Sequence, residues 1–279
     1  GGGDDAGGGD AGEGDTGDDD TGDDDTGDDD TSTDEGLFRA AVDGEIDPAE
    51  ALERIAADGG LPVETATGSY LFGCLCGGSG WMLAGDHEGW AGQELTQAGQ
   101  LSWIETDVPA PDGSLYKFTD GYAWTSDPMG RRFGFDEFGE HSLVRASGAH
   151  LERWYGVEGF GLEPRELQVW VPDGGTFSHL LLAHDGQNLF DPEAIWGGWH
   201  LQDSLPAGML VAGIDNTGAR MDEYTPVAAL LHGVEVGGLG DDYADPVELV
   251  VRPLIEDPYG EAQAAGTLGS SPGGVISPP

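Results

Sequence analysis

The sequence predicts an α/β sheet preceded by an antiparallel β-sandwich, with a solvated acidic tail ahead of both. Three observations carry this. Residues 1–36 hold 16 of the chain's 54 acids, no lysine or arginine, and no apolar side chain larger than alanine. Such a segment cannot offset its ordering entropy by burial. Residues 62–162 break into short strand-like pieces separated by Gly, Asp and Pro, the spacing of a sandwich. Residues 163–279 instead carry predominantly apolar runs at 167–171, 180–183 and 209–214, as strands buried on both faces require.

Composition bounds the function. The chain has 279 residues and a formal charge of −44, and Lys117 is its single lysine. A surface this negative repels phosphates over its whole extent, which excludes nucleic acid and anionic lipid as partners. No run approaches the roughly 18 apolar residues of a membrane span, so no transmembrane segment is expected. The acidity suits a halophilic protein and an acidic exported one equally.

Thr-Gly-Asp-Asp-Asp recurs at residues 16, 21 and 26. Contiguous aspartates neither alternate nor turn as a calcium loop does. Residues 1–36 therefore read as a disordered Asp/Gly-rich linker, and no metal is expected. A long acidic spacer before a folded body suggests export and tethering. The expectation is an extracytoplasmic protein, periplasmic, cell-surface or secreted, with a lipoprotein anchor upstream. Residues 37–61 form a short helical lead-in. Asp47 is a good N-cap, Pro48 suits the first turn, Glu50 completes a capping box, and Gly59-Gly60 stop the helix. Leu52, Ile55 and Ala56 form its apolar side.

In the sandwich, 62–162, strands are expected at 70–75, 81–84, 101–105 and 115–118. Cys74 and Cys76 lie two apart on the first, sharing a face. A disulfide there would close a very tight loop, and no histidine cluster accompanies them for zinc. Buried thiols are expected. Trp81, Trp90, Trp103, Trp124 and Tyr116 either fill the sandwich core or form a sugar-stacking platform.

In residues 163–279 each apolar run is followed by a turn rich in Asp, Gly or Asn, which places function at the carboxyl ends of the strands. The last strand-like piece, Gly266-Thr267-Leu268, enters Gly269-Ser270-Ser271-Pro272-Gly273, a G-x-S-x-G bend. A serine on a sharp strand-to-helix turn sits in a strained backbone, so Gly269 and Gly273 must lack bulk.

Two sets of residues resemble known families. Met82-Leu83-Ala84-Gly85-Asp86-His87-Glu88-Gly89-Trp90, then Trp103, Tyr116-Lys117-Phe118 and Asp127-Pro128 resemble an immunoglobulin-like early-set domain. That domain precedes the catalytic domain in enterochelin-esterase-type proteins and is similar to glycogen-binding modules. The second set begins with His184-Asp185-Gly186-Gln187-Asn188-Leu189-Phe190, Gly197-Gly198-Trp199 and Gly213-Ile214-Asp215-Asn216. It continues through Arg220-Met221-Asp222-Glu223-Tyr224-Thr225-Pro226 and Arg252-Pro253-Leu254-Ile255 to the serine bend. In order and spacing this set resembles the α/β-hydrolase family that includes the enterochelin esterases, over nearly all of residues 163–277.

That resemblance implies an α/β-hydrolase-type sheet and a carboxylic-ester hydrolase without a cofactor. Ser271 would be the nucleophile of an acyl-enzyme mechanism. A Gln187 backbone N–H is the oxyanion-hole candidate, and Arg220 would bind an anionic or phenolate group. The implied substrate is a small-molecule or glycan ester, of siderophore or acylated-sugar type. For Arg220 the alternative is a salt bridge to Glu223. His184, at a strand end before a turn, reads as structural.

The family order is serine, acid, histidine. None of the eight residues after Ser271 is Asp, Glu or His, and all seven histidines precede it. The sheet is therefore expected to be incomplete, truncated after the nucleophile bend. The chain is expected to hydrolyse esters at background rate, because a hydroxyl without a base is a poor nucleophile at neutral pH. Pro272 also lacks the N–H that the residue after the nucleophile donates, a loss worth about 3–4 kcal/mol in the transition state. The alternative function is an exported glycan-binding or surface protein with a non-catalytic hydrolase-like half.

Overall fold

The computed structural model describes residue 1 and residues 30–159 and 162–269. Most of the predicted linker lies outside the described residues, as do Ser271, Pro272 and Gly273. The folded body starts earlier than the composition implied. A 3-10 turn, Asp30–Ser32, leads into helix α1 (Asp34–Asp43). The Thr33 hydroxyl accepts the Gly36 N–H at 3.0 Å, and Asp34 and Glu35 occupy the first turn, where the helix dipole favours negative charge. The linker boundary expected at residue 36 is thus corrected: these acids begin a helix. Helix α2 (Pro48–Asp58) forms as expected, with the Asp47 carboxylate accepting the Ala49 and Glu50 N–H groups at 2.9 and 3.3 Å. The two helices bury Leu37, Phe38, Leu52 and Ile55 against Leu71 and Leu101.

Eleven strands follow: β1 (Val63–Glu64), β2 (Tyr70–Cys74), β3 (Met82–Gly85), β4 (Gln93–Glu94), β5 (Thr96–Ala98), β6 (Leu101–Thr106), β7 (Leu115–Thr119), β8 (Trp124–Thr125), β9 (Arg132–Asp136), β10 (Gly139–Leu143) and β11 (His150–Val157). β1, β2, β6 and β5 make a four-stranded antiparallel sheet. The others join a second sheet. Tyr70 and Phe72 of the first pack against Leu83, Tyr116 and Phe118 of the second. Gly73 is required in β2 because the Phe38 ring would lie 2.8 Å from any Cβ there.

Cys74 and Cys76 are not free thiols. They are joined in a disulfide with Cα atoms 5.2 Å apart. The expectation of free thiols, which rested on the tightness of the loop, is thus corrected: β2 ends at Cys74, so Cys76 has left the strand and its side chain can turn back.

The second sheet does not stop at residue 162. β11 pairs with β12 (Arg165–Val171), and the sheet continues through β14 (Met209–Ile214), β13 (His179–His184) and β17 (Ala264–Leu268). The strands before and after residue 162 thus share one mixed sheet, not a separate sandwich and α/β sheet. β13 runs parallel to both β14 and β17, with Leu182 opposite Ala212 and Thr267. Between β14 and β17 lie α3 (Arg220–Glu223), a hairpin of β15 (Ala229–Leu231) and β16 (Val234–Val236), α4 (Gly240–Pro246), a π-turn (Val247–Val251) and α5 (Arg252–Tyr259). Tyr243, Val251 and Ile255 from this stretch cover Leu180, Leu182, Leu210 and Ile214 on one face. Ala183 and Val211 face Leu189 and Phe190 on the other. Burial on both faces explains the apolar runs. Among the described residues no helix is long and apolar enough to cross a membrane.

Candidate active site

The chain passes from β13 to β14 on one side, then returns across β13 to lay β17 on the other. The strand order reverses there, and open α/β sheets hold their ligands at such a reversal, outside the carboxyl ends of the strands. β17 pairs with β13 up to Ala183 opposite Leu268, so Gly269 leaves the sheet beside the start of the His184-to-Asn188 loop.

That loop turns at Asp185, whose φ of +59° is left-handed, into a 3-10 turn at Gly186–Asn188. Gly186 admits no side chain: a Cβ would lie 2.5 Å from the Gly213 carbonyl carbon and 2.6 Å from Asp215 Oδ1. The Asp185 carboxylate accepts from Arg220 Nε at 2.6 Å, Arg220 Nη2 at 2.5 Å and Asn216 Nδ2 at 2.7 Å. The Asp185 N–H donates to the Tyr224 hydroxyl. The Asn216 N–H donates to Gln187 Oε1 at 3.2 Å. The loops after β13 and β14 are therefore laced to each other and to α3. Burial pushes the Asp185 carboxyl up, but the bonds from Arg220 and Asn216 outweigh it and hold it below the ordinary range.

Gln187 and Arg220 are brought to this one strand end. The Arg220–Glu223 salt bridge does not form. Arg220 is drawn to Asp185 and lies 4.8 Å over the Tyr224 ring, while Glu223 is bound in the interior by Arg165 at 2.6 Å. His184 is buried, with Nδ1 3.1 Å from the Tyr243 hydroxyl, and burial lowers its pKa to about 4. It is therefore neutral at physiological pH.

Sequence reasoning assigned no role to Asp185 or Asp215. Burial raises the Asp215 carboxyl to about 7, and Glu166 adds to the rise. Gln168 Nε2, at 3.3 Å, and the Gln187 backbone N–H oppose it. The signal for both acids was their position directly after a buried strand.

The aromatic set divides. Tyr116 is fully buried, Trp81 packs against the sandwich core, and Trp103 packs edge-on to Phe38. Trp90 and Trp124 turn outward, 37% and 50% exposed, with ring centroids 6.1 Å apart. Trp90 Nε1 donates to Asp86 Oδ1 at 2.9 Å. The pair borders a cavity of about 540 Å³ lined also by Asp86, Lys117, Asp136 and Phe138. Lys117 Nζ donates to the Phe138 carbonyl at 2.8 Å. No group of three or more metal-ligating side chains occurs among the described residues.

The chain matches no protein-family description and no curated protein. Solved structures do share part of its chain path. An IroE-like serine hydrolase from Shewanella oneidensis is 22% identical over 45% of this chain and 44% of its own, with a TM-score of 0.38. The siderophore hydrolase EstA from Aspergillus nidulans is 17% identical over 45% and 50%, with a TM-score of 0.34. The ferric enterobactin esterase of Salmonella typhimurium is 13% identical over 80% and 71%, with a TM-score of 0.31. The chain thus spans about half the length of the first two.

Proposed function

We propose that the chain is a serine carboxylic-ester hydrolase in type, acting on a small-molecule or glycan ester through an acyl-enzyme on Ser271. One observation carries the reading: the strand leading into the G-x-S-x-G bend lies beside the strand that leads into the Asp185-to-Asn188 loop, at the reversal of strand order. In this reading Gly269 and Gly273 give the bend its room, and the Gln187 N–H, which here is engaged by the Asp215 carboxylate, must be released from it to serve the oxyanion. Arg220 keeps Nε and Nη2 on Asp185 and offers Nη1 to an anionic or phenolate group of the substrate. The Cys74–Cys76 disulfide supports an exported location, where thiols are oxidised.

No histidine follows Ser271, so the test supplies the base from solution. Turnover of p-nitrophenyl acetate is measured for this chain and for Ser271→Ala across an imidazole series. Without imidazole both stay at background. With it, the parent alone gains a serine-dependent increment, since a base that takes the hydroxyl proton makes serine a better nucleophile. Equal rates at every imidazole concentration would remove Ser271 from the chemistry.

A second reading rests on the outward tryptophan pair. Indole faces stack on the C–H face of a sugar while Asp86 and Asp136 accept its hydroxyls. The cavity they line supports glycan binding by the sandwich. Electrophoresis through gels containing glycogen should retard the chain, and Trp90→Ala and Trp124→Ala should release it. An unretarded parent would end this reading.

A further inference from the structure

The Cys74–Cys76 disulfide does little of what a disulfide ordinarily does. Such a bond stabilises a fold chiefly by closing a long loop of the unfolded chain, and this one joins residues two apart. It fastens no second element. Cys74 is already held as the last residue of β2, opposite Ser102 of β6. Cys76 leads into Gly77-Gly78-Ser79-Gly80, all four exposed. Among the described residues no backbone–backbone hydrogen bond orders 76–80, and the Gly77 carbonyl accepts from the Trp81 indole at 3.0 Å.

The surroundings suit exchange with a thiol. Cys74 is 3% exposed, whereas Cys76 is half-buried. A Cβ added at Gly77, Gly78 or Gly80 would meet no atom within 4 Å, so the chain beside Cys76 stands in open space through which a thiolate can approach. Both half-cystines also line a cavity of about 210 Å³ whose wall is mostly apolar, with Trp81, Phe118, Pro128 and Met129. Accessible disulfides are the labile and catalytic ones, unlike buried staples. From a bond that constrains little, a sulfur open to attack and an apolar cavity at its side, we propose that Cys74–Cys76 is an exchange-active disulfide that oxidises peptide dithiols. The cavity would receive an apolar side chain next to the substrate cysteine.

The electron balance closes within the two partners. A substrate thiolate attacks Cys76 Sγ, forming a mixed disulfide and breaking the bond to Cys74, which leaves as a thiolate and takes a proton from solvent. The substrate's second thiolate then attacks its own sulfur in the mixed disulfide and releases Cys76, which is protonated in turn. The substrate is oxidised by two electrons to a disulfide, and the protein is reduced to two thiols. Ser271 takes no part.

The test mixes the air-oxidised full chain, without denaturant, with a reduced neutral peptide holding two cysteines flanked by leucines. Acid-quenched samples are counted for thiols by maleimide mass shift. The peptide should be oxidised about tenfold or more faster than by equimolar oxidised glutathione, one peptide disulfide per chain, while the near-ultraviolet circular dichroism of the chain persists. A glycine-flanked peptide should lag. In Cys76→Ser and Cys74→Ser the remaining thiol is reacted with dithiodipyridine, and Cys76 should exceed Cys74 by about tenfold, because exposure governs thiol reactivity. Two free thiols before any reductant, a peptide rate no greater than that of glutathione, or equal rates for the two peptides would overturn the proposal. So would a disulfide reduced only once urea unfolds the chain, or a Cys74 as reactive as Cys76. If the serine variants do not fold, the parent's rates decide.

Discussion

Replacing Arg220 by alanine tests whether the ion pair at the end of β13 holds the candidate site together. Asp185 is 2% exposed and accepts three hydrogen bonds, two of them from one guanidinium. Arg220→Ala leaves this carboxylate with neutral partners, Asn216 and Tyr224, and no counter-charge. Breaking a fully buried pair costs about 3–5 kcal/mol. The Arg220 side chain is 27% exposed, so water replaces part of the lost interaction, and about 2–3 kcal/mol is expected. For a body of this size that corresponds to a melting point lower by roughly 5–10 °C. The pH dependence carries a definite sign. The folded-state pKa of Asp185 is depressed, so the pair stabilises above the unfolded carboxyl value of about 3.9 and is lost as pH falls through the folded value. Urea unfolding between pH 3 and 8 should therefore show the full deficit near neutrality and its closure in acid. In an Asp185→Asn background the same arginine substitution should cost less than about 1 kcal/mol, the difference being the coupling energy. An equal cost in both backgrounds, or one indifferent to pH, would refute the reasoning.

Three further outcomes follow from the same geometry. Asp215, raised to about 7, binds its proton more tightly folded than unfolded, so its contribution declines as pH rises from about 4 to about 7. Asp215→Asn should therefore match the parent near pH 4 and exceed it at pH 8 by about 1–2 kcal/mol in urea unfolding. The His184 ring should titrate near pH 4 by NMR; a midpoint close to 6.5 would contradict its burial. Asp47→Ala should cost about 1 kcal/mol by removing the α2 cap, and Asp47→Asn much less, both read from thermal melts.

Local signals made much of the fold legible. Asp47-Pro48 and Gly59-Gly60 bracket α2 because capping depends on residues within one turn. Strands β12, β13 and β14 were visible as apolar runs because both their faces are covered. β17 was found from its last three residues and begins two residues earlier. What escaped depended on context. The acids of α1 have linker composition, and only Thr33 marks the start of a helix. The disulfide depended on where β2 stops. The sheet's continuity across residue 162 depended on β11 and β12 pairing edge to edge, which alternation within either strand does not encode.

The amino-acid order by itself determined the acidic character, the caps of α2 and the buried strands, because each is set by neighbours a few residues apart. Only the tertiary structure decided which charges meet. Arg220 pairs with Asp185, 35 residues away, rather than with Glu223 three residues on. The physical reason is burial: Glu223 and Asp185 both lose water, each needs a cation, and the packing of α3 on the strand ends gives Arg165 to one and Arg220 to the other.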